Sequence, residues 1–308
     1  MCARKKFTKW RPVIRSRHPS HNPLRRRNPL KLLPLLPFKS LIRFGSSTEL
    51  QSTIANGGDR IELNTVEAIK NSSNKLLMKQ CFTNNDVKTA DWNEGLFDNN
   101  ISSFYNIDNE GVDFLYDTYP ESEHFATNRI NYPIISKHIF GSRGTGNKKH
   151  DNQESLETWM EGKDLSNYIF EKYYSYNREY RLHISKNGCF YTCRKMLQAD
   201  APQDVRWYRN DAHCNWILED NELFDKPVNW DEVIEESVKA LKAVGLDMGA
   251  VDLRIQSSKN KDGDLREAPK FIVVEINSAP SMAAITTERY VEELPKLLTE
   301  KAILQGIL

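Results

Sequence analysis

Two short stretches near the carboxyl end decide the fold: residues 249–255 have the sequence GAVDLRI, and residues 271–280 have the sequence FIVVEINSAP. Both are rich in β-branched and aliphatic residues, which favours β-strands. Side chains alternate between the faces of a strand, so the aliphatic residues of the first stretch share one face and leave Asp252 on the other. Glu275 and Asn277 lie two positions apart and also share a face. We therefore expect two paired strands with one apolar and one acidic face.

The acidic face of this strand pair is a candidate metal site. If the strands pair with these faces together, oxygen atoms of Asp252, Glu275 and Asn277 converge beside an apolar layer. Such hard oxygen ligands suit Mg²⁺, which commonly also takes phosphate oxygens and water. The alternative is the solvent-facing polar side of an amphipathic sheet. The strongly apolar sequence around the acidic residues favours the metal site.

A glycine-rich loop is the candidate phosphate-binding element, and its residues are Gly141, Ser142, Arg143, Gly144, Thr145 and Gly146. Glycines let the backbone approach phosphate closely and point N–H groups at it. Lys137, at the end of the preceding predicted strand, adds a positive charge, and Lys75, at the start of a predicted helix, is its candidate partner. The loop matches neither a Walker nor a Rossmann motif. An ordinary glycine-rich turn is the alternative.

A β-hairpin over residues 179–196 is predicted by strict alternation before the turn Lys186-Asn187-Gly188 and by the apolar strand after it. Its polar face carries Glu179, Arg181 and Lys195. Cations beside carboxylates suit the stabilisation of a transferring phosphoryl group or an acyl phosphate. An ordinary salt-bridged sheet edge explains Glu179 and Arg181 equally well. We expect His183 and the hairpin cysteines to be structural.

The charge is distributed unevenly along the chain. Residues 1–43 contain thirteen Lys or Arg and no Asp or Glu, so the formal net charge of +1 conceals a cationic start and an acidic remainder. Prolines argue against a long helix in residues 1–40, and we expect a partly disordered basic arm there. Such an arm favours an anionic partner, with nucleic acid or an acidic peptide as candidates. A strap on the acidic body or a structured replacement for a domain are the alternatives.

Composition excludes several classes of protein. With 39% hydrophobic residues the 308-residue chain is not wholly disordered, and no run of eighteen apolar residues predicts a membrane span. The five cysteines are odd in number and no secretory signal is visible, which predicts free thiols in a reducing cytosol. The expected location is therefore the cytoplasm, or the host cytoplasm if the chain is phage-encoded.

Taken in chain order, these features resemble the ATP-grasp superfamily. The chain is similar to its carboxylate–amine ligases, which include D-alanine–D-alanine ligase and the ribosomal-protein glutamate ligases, and to a group of small phage-encoded ATP-grasp proteins. The segments that carry the resemblance are Lys75, Lys137 with loop 141–146, Phe170-Glu171-Lys172-Tyr173, Glu179-Tyr180-Arg181, Lys195, Gly249-Ala250-Val251-Asp252 and Val274-Glu275-Ile276-Asn277-Ser278-Ala279-Pro280.

The resemblance implies an α+β (α/β) fold in which two α+β subdomains grip ATP. It implies four parts: a basic Pro/Arg-rich arm (1–40), a shortened segment before the grasp (41–74), a subdomain with the phosphate loop (75–168) and a C-terminal subdomain with the metal site (169–308). Members usually carry a substantial α/β domain before the first lysine. Here the arm and the shortened segment stand in its place, so substrates do not transfer from known ligases.

The resemblance also implies which residues bind the nucleotide. Lys75, Lys137 and the loop 141–146 would contact the phosphates of ATP. Glu171, Lys172 and Tyr173 would hold adenine at the hinge between the subdomains, through side-chain and backbone hydrogen bonds. Glu179 would bind the ribose or support the nucleotide. Two further segments, Arg209-Asn210 and Asn215-Trp216, resemble a region near the phosphate and the acceptor.

The remaining implied roles are chemical. Arg181 and Lys195 would neutralise the γ-phosphate and then an acyl phosphate, and Asp252, Glu275 and Asn277 would hold two Mg²⁺ ions. The expected function is an ATP- and Mg²⁺-dependent carboxylate–amine or carboxylate–thiol ligase, whose substrates are an unknown carboxylate and amine, with a peptide or acidic macromolecule as candidates. The alternatives are a nucleic-acid-binding accessory protein with a vestigial or regulatory ATP-grasp body, and an ATP-grasp kinase.

Overall fold

The structure, a computed structural model, describes residues 13–16, 36–48, 60–94, 131–141, 144–209 and 211–308. Its helices of eight or more residues are α1 (Val66–Ser73), α2 (Lys75–Asn84), α3 (Gln153–Met160), α4 (Trp230–Ala243) and α5 (Ala284–Leu304). Its strands are β1 (Val13–Ser16), β2 (Lys39–Phe44), β3 (Arg60–Leu63), β4 (Trp92–Asn93), β5 (Ile134–His138), β6 (Lys148–His150), β7 (Tyr168–Lys172), β8 (Arg178–Ser185), β9 (Gly188–Leu197), β10 (Cys214–Leu218), β11 (Met248–Ile255) and β12 (Phe271–Asn277).

The strands form three sheets. Strands β1, β2 and β3 make a parallel sheet, and β4, β7, β5 and β6 make an antiparallel sheet in that order. The largest sheet has the order β10-β9-β8-β11-β12 and is antiparallel throughout. Together with the helices these sheets confirm the expected α+β architecture.

The predicted hairpin is confirmed as β8 and β9, and the predicted strand pair as β11 and β12. Asp252 lies opposite Arg181 on β8 and opposite Glu275 on β12. A β-bulge at Val274 follows from the register, because Asp252 pairs with Glu275 whereas the next residue, Leu253, pairs with Val273. A bulge re-aims the side chains beside it. Here it turns Val274 and Glu275 to the same face of the sheet, where both line a cleft.

Side-chain caps at the starts of α1 and α2 fix the position of Lys75 in the fold. The Thr65 side chain accepts a hydrogen bond from the N–H of Ala68 and caps α1, and the Asn74 side chain accepts from Leu76 and Leu77 and caps α2. Such side chains satisfy N–H groups that have no partner within the helix. The second cap starts α2 at Lys75 and confirms the helix predicted there.

The five-stranded sheet separates a core from the cleft. The face that carries Leu182, Val251 and Leu253 packs under α4, where Val233 and Leu241 are fully buried. The opposite face carries the charged residues at the alternate positions. A second core lies between α5 and the parallel sheet, and its members include Phe44, Ile61, Tyr290 and Leu294. Alternation therefore delivers the polar residues to one side of a well-packed layer.

The basic arm over residues 1–40, which we expect to be partly disordered, contains a short strand and two buried apolar residues. Val13–Ser16 forms β1, which pairs in parallel with β2, and Leu36 and Phe38 are buried in the core beneath α5. Proline spacing excludes a long helix but not a short strand or isolated apolar anchors. The other residues of the arm lie outside the described ranges.

The division into domains stays a prediction. The expected boundary between residues 168 and 169 falls inside β7, which pairs with β5 and belongs to the same sheet. Within the described ranges, no helix is long and apolar enough to cross a membrane.

A buried asparagine joins the parallel sheet to β11. Asn64 is fully buried and follows β3 in a left-handed conformation, with φ of 59°. Its amide nitrogen donates to the carbonyl groups of Arg43 and Met248 at 3.2 and 3.0 Å, and its side-chain oxygen accepts from the N–H groups of Asp247 and Met248 at 2.9 and 3.1 Å. One side chain therefore satisfies four backbone groups where β11 begins.

We predict that Asn64→Gly lowers the free energy of unfolding by about 3 kcal/mol or more, because buried N–H and C=O groups lose their partners while glycine keeps the positive φ. Chemical denaturation measures the change. The matched control is Asp86→Gly, an exposed residue with φ of 52°, which we expect to stay within about 0.5 kcal/mol of the wild type. Equal stability of Asn64→Gly and this control would contradict the role of Asn64.

Candidate active site

A cleft of about 820 Å³ is lined by residues of both antiparallel sheets, of α2 and of the loop after β5. It collects the predicted site residues Lys75, Lys137, Gly141, Gly144, Glu171, Lys172, Tyr173, Glu179, Arg181, Lys195, Asp252, Glu275 and Asn277. Gly146 belongs to the same loop but does not line the cleft. Ser142 and Arg143 lie outside the described residues. Candidates that are far apart in sequence therefore share one cavity.

The candidate metal ligands form a row across the sheet. Arg181 donates through Nε and Nη2 to the two carboxylate oxygens of Asp252, at 2.7 and 2.8 Å. The Asn277 amide nitrogen donates to Asp252 Oδ2 at 3.0 Å and to Glu275 Oε1 at 3.3 Å. Asp252 and Glu275 lie directly opposite each other on neighbouring strands. The predicted convergence of the three side chains is therefore present.

The donor set fits a divalent cation. Burial raises the pKa of Asp252, and the neighbouring Glu275 charge adds to this effect against the opposing influence of Arg181. A cation between the two carboxylates removes their repulsion, and hard oxygen donors suit Mg²⁺. The Asn277 amide presents its nitrogen to both carboxylates, so binding a cation requires the amide to turn and offer its oxygen. No cluster of three or more His, Cys, Asp or Glu side chains suited to a metal occurs within the described ranges.

Within the described ranges, two lysines form ion pairs with a buried glutamate at the other wall of the cleft. Glu171 on β7 is 3% exposed, and its Oε2 accepts from Lys137 Nζ on β5 at 2.6 Å. Its Oε1 lies 3.1 Å from Nζ of Lys79, a fully buried residue one turn after Lys75 on α2. Burial works to raise the pKa of Glu275, but Lys75 and Lys137 outweigh it and hold that pKa below its ordinary value. Lys137 therefore lowers the pKa of both Glu171 and Glu275.

The glycine-rich loop is held against α2. The Lys75 ammonium donates to the carbonyl of Gly141, and the Lys75 N–H donates to the carbonyl of Ile139 at 2.8 Å. Gly144 has φ of +78°, and a Cβ at this position would lie 3.2 Å from the Tyr208 ring. Glycine therefore allows both the turn and the close approach of the aromatic ring.

Glu179 is the centre of a second charge cluster. Its carboxylate lies 3.4 Å from Arg209 Nη1, 3.4 Å from Arg254 Nε and 3.8 Å from Lys195 Nζ. Arg209 has φ of 47°, a conformation uncommon for a residue with a long side chain. The loop after β9 is therefore fixed in a strained conformation that directs Arg209 into the cleft.

Trp216 on β10 contacts both predicted phosphoryl-stabilising residues. Its ring centroid lies 4.9 Å from the Arg181 guanidinium carbon and 5.4 Å from Lys195 Nζ. Cation–π contacts of this kind orient a cation and shield one side of it from water. Asn210 lies outside the described residues, whereas Asn215 lies beside Trp216 on the exposed part of β10.

Two backbone N–H groups of the predicted adenine hinge already donate hydrogen bonds to other backbone groups. The N–H of Lys172 donates to the carbonyl of Asp91 at 2.9 Å, and the N–H of Tyr173 donates to the carbonyl of Pro133 at 3.0 Å. These two N–H groups therefore do not point at a ligand. The Glu171 side chain faces the lysines rather than open space. The hinge role of these residues stays a prediction.

The residues expected to be structural lie in the packed interior. His183 is 1% exposed and pairs through Nδ1 with the Tyr290 hydroxyl at 3.0 Å. Burial lowers its pKa to about 3, so it is neutral at physiological pH. Cys193 is buried, and burial raises the pKa values of Cys193 and Cys189 to about 12. The described cysteines are free thiols, as predicted.

Sequence reasoning missed three residues of the site. Lys79 could have been found because it lies four residues after Lys75 and so falls on the same helix face. Alternation along the predicted strand places Arg254 on the same face as Asp252, but no role in the site is predicted for it from the sequence. Tyr208, which packs on Gly144, has no local signal, since its loop has no periodicity.

Comparisons with known proteins address the fold. A scan against protein-family models and a search of curated proteins gave no match. The structure is similar to D-alanine–D-alanine ligase from Bacillus anthracis, with a TM-score of 0.56, 14% identity and 96% of each chain covered. D-alanyl-alanine synthetase A from Vibrio cholerae O1 biovar eltor has a TM-score of 0.51 at 15% identity, with 88% of this chain and 78% of that one covered.

A third similar structure is a biotin carboxylase complex with a β,γ-ATP ligand from Campylobacter jejuni, with a TM-score of 0.51, 16% identity and coverage of 84% of this chain and 54% of that one. Identities this low support a shared fold and no finer relation. The described architecture and these neighbours lead to one conclusion: this chain has an α+β fold of the ATP-grasp type.

Proposed function

We propose that the protein is an ATP- and Mg²⁺-dependent ligase that joins a carboxylate to an amine or a thiol through an acyl phosphate. The observation that carries the proposal is the shared cleft, in which a row of oxygen donors faces a set of buried cations. A polyphosphate needs many positive groups, and phosphoryl transfer depends mainly on positioning and charge. The ATP-grasp fold supports the same reading.

The nucleotide phosphates fit the wall formed by α2, β5 and the glycine-rich loop. Lys75 and Lys137 are each less than 10% exposed, yet both line the cleft. Burial lowers the pKa of Lys75, but the nearby Glu275 and Glu171 oppose this effect. An anionic phosphate adds a further charge that opposes the effect of burial on the pKa of Lys75. Glu179 and Tyr173 would then contact the nucleoside.

Arg181 and Lys195 would act on the transferring group. Both lie on the face of the sheet that carries Asp252, and Trp216 packs against both cations. When the substrate carboxylate attacks the γ-phosphorus, the bond to the β,γ-bridging oxygen breaks and ADP leaves. Fixed guanidinium and ammonium groups stabilise the charge that spreads over the phosphoryl oxygens. An amine then attacks the acyl carbon and displaces phosphate.

Asp252, Glu275 and Asn277 would hold magnesium, which supplies charge neutralisation between the phosphates. For this to happen, Asp252 must share or leave its bidentate pair with Arg181. The released guanidinium lies beside the same site and becomes available to the phosphoryl group. The Arg181–Asp252 pair therefore holds both side chains beside the proposed phosphoryl site.

We predict that Mg-ATP raises the unfolding midpoint of the wild type by several degrees at about 100 times its Kd, since binding to the folded state alone contributes about 2.7 kcal/mol. Glu275→Gln should lose most of this shift because a metal-binding oxygen becomes an amide. Thermal denaturation with Mg-ATP, and with ATP plus a chelator, separates metal from nucleotide.

The matched control for this comparison is Glu292→Gln, an exposed residue on α5 paired only with its neighbour Arg289. It should keep the full shift. If the wild type shows no shift at millimolar Mg-ATP, the proposed function is wrong; an undiminished shift in Glu275→Gln contradicts the assignment of the metal ligands.

We also predict that hydroxylamine traps an acyl phosphate. With Mg-ATP and a pool of carboxylic acids, the wild type should form hydroxamate and ADP in equal amounts, because hydroxylamine replaces the unknown amine. Lys195→Met should lower this rate by about 100-fold or more while Mg-ATP still binds. Colorimetric detection of hydroxamate and coupled detection of ADP give the two rates.

Lys226→Met is the control, since Lys226 is half exposed and pairs with Glu219 away from the cleft. It should retain the wild-type rate. Phosphate found in a stable organic product instead of hydroxamate would identify a kinase, and ADP formation equal to that of Asp252→Ala would exclude both activities.

A further inference from the structure

Of the two described lysines that form ion pairs with Glu171, the proposed chemistry uses Lys137 but not Lys79. The Lys79 side chain is completely buried, whereas Lys75 and Lys137 both line the cleft. Lys79 itself does not line the cleft. A group in this position does not touch a nucleotide, so any effect that it has must pass through a neighbour.

That neighbour is Glu171, which divides its two oxygens between two lysines. Oε1 lies 3.1 Å from Lys79 Nζ, and Oε2 accepts from Lys137 Nζ at 2.6 Å. When a phosphate binds Lys137, it competes with Glu171 for the same ammonium group. A buried carboxylate that loses its only cation is strongly destabilised. Lys79 remains paired with Glu171 when Lys137 binds phosphate, so the buried carboxylate keeps one counter-ion.

A hydroxyl group anchors Lys79 on the far side. The Lys79 ammonium donates a hydrogen bond to Thr89 Oγ1. The Thr89 hydroxyl in turn donates to the carbonyl of Val273 on β12 at 2.8 Å. Thr89 also pairs with Val273 through the backbone. Lys79 is therefore fixed relative to the strand that carries Glu275, and it cannot follow Lys137 into the cleft.

The acid–base properties agree with this arrangement. Burial works to raise the pKa of Glu171, but the charges of Lys137 and Lys79 outweigh it and hold the pKa below its ordinary value. Burial lowers the pKa of Lys79 to about 8, against the opposing influence of Glu171. The lysine thus keeps its charge near neutral pH mainly because the carboxylate is beside it.

We propose that Lys79 is a positioning residue that remains the counter-ion of Glu171 while Lys137 transfers from Glu171 to the nucleotide phosphates. The proposal rests on the proposed function, since it requires Lys137 to bind phosphate. In this proposal the effect of Lys79 on nucleotide binding passes through the charge of Glu171, the carboxylate with which it forms an ion pair. Removing that charge should therefore make Lys79 dispensable for nucleotide binding.

The test is a double-mutant cycle on the full chain with Mg-ATP as the ligand and Kd measured by calorimetry. Lys79→Met keeps the length and burial of the side chain and removes its charge. In the wild-type background we expect it to raise Kd by about 10-fold or more, which corresponds to about 1.4 kcal/mol. In a Glu171→Gln background the same substitution should change Kd by less than about 3-fold.

Comparison of Glu171→Gln with Glu171→Gln/Lys79→Met remains decisive even if Lys79→Met alone does not fold. A 10-fold loss of affinity between these two variants overturns the proposal, because a neutral residue 171 needs no counter-ion. An equal loss in both backgrounds indicates packing and also overturns it. Unchanged Kd in Lys79→Met has the same consequence.

Two further variants serve as controls. Thr89→Val removes the hydroxyl anchor but keeps every charge, so Kd should stay within about 3-fold of the wild type; a loss as large as that of Lys79→Met overturns the electrostatic route. Lys88→Met alters a half-exposed lysine on the neighbouring segment, and its Kd should be unchanged. Failure of the wild type to bind Mg-ATP at all is a separate outcome, which overturns the proposed function itself.

Discussion

Charge compensation inside the cleft is the constraint on which the site depends. Glu171, Glu179, Asp252 and Glu275 lie within the cleft, and the first three are each within 4 Å of a Lys or Arg side chain. Burying an unpaired carboxylate or ammonium group costs far more than a buried pair contributes. These three carboxylates therefore lie in the cleft beside matching basic groups, which avoids the cost of an unpaired buried charge.

This matching has a consequence for function. Groups that would bind phosphate or metal are partnered by one another, as Arg181 is by Asp252 and Lys137 is by Glu171. Ligand binding then exchanges one charge partner for another and does not create a new buried charge. If the proposed function is correct, such a site is preorganised, because the charged groups are held in place by their partners. Lys79 extends the same principle to a residue outside the cleft wall.

Local sequence predicted the elements that carry these groups. Alternation predicted the hairpin and the β11–β12 pair, and the capping residues Thr65 and Asn74 mark the helices around Lys75. It did not predict the bulge at Val274, the strand in the basic arm or the hydrogen bonds by which Asn64 joins the parallel sheet to β11. These features depend on contacts between segments that are far apart in the chain, and no local pattern encodes such contacts.

By itself, the sequence determined which side chains share a face, because alternation along a strand and the turn of a helix are local geometry. This local geometry predicted that Asp252 lies on the face of its strand away from the apolar residues, and that Glu275 and Asn277 share a face. Only the tertiary structure decided which charges are paired: Lys79 with Glu171, and Arg181 with Asp252. The physical reason is burial, since a charge selects a partner only when folding has removed it from water.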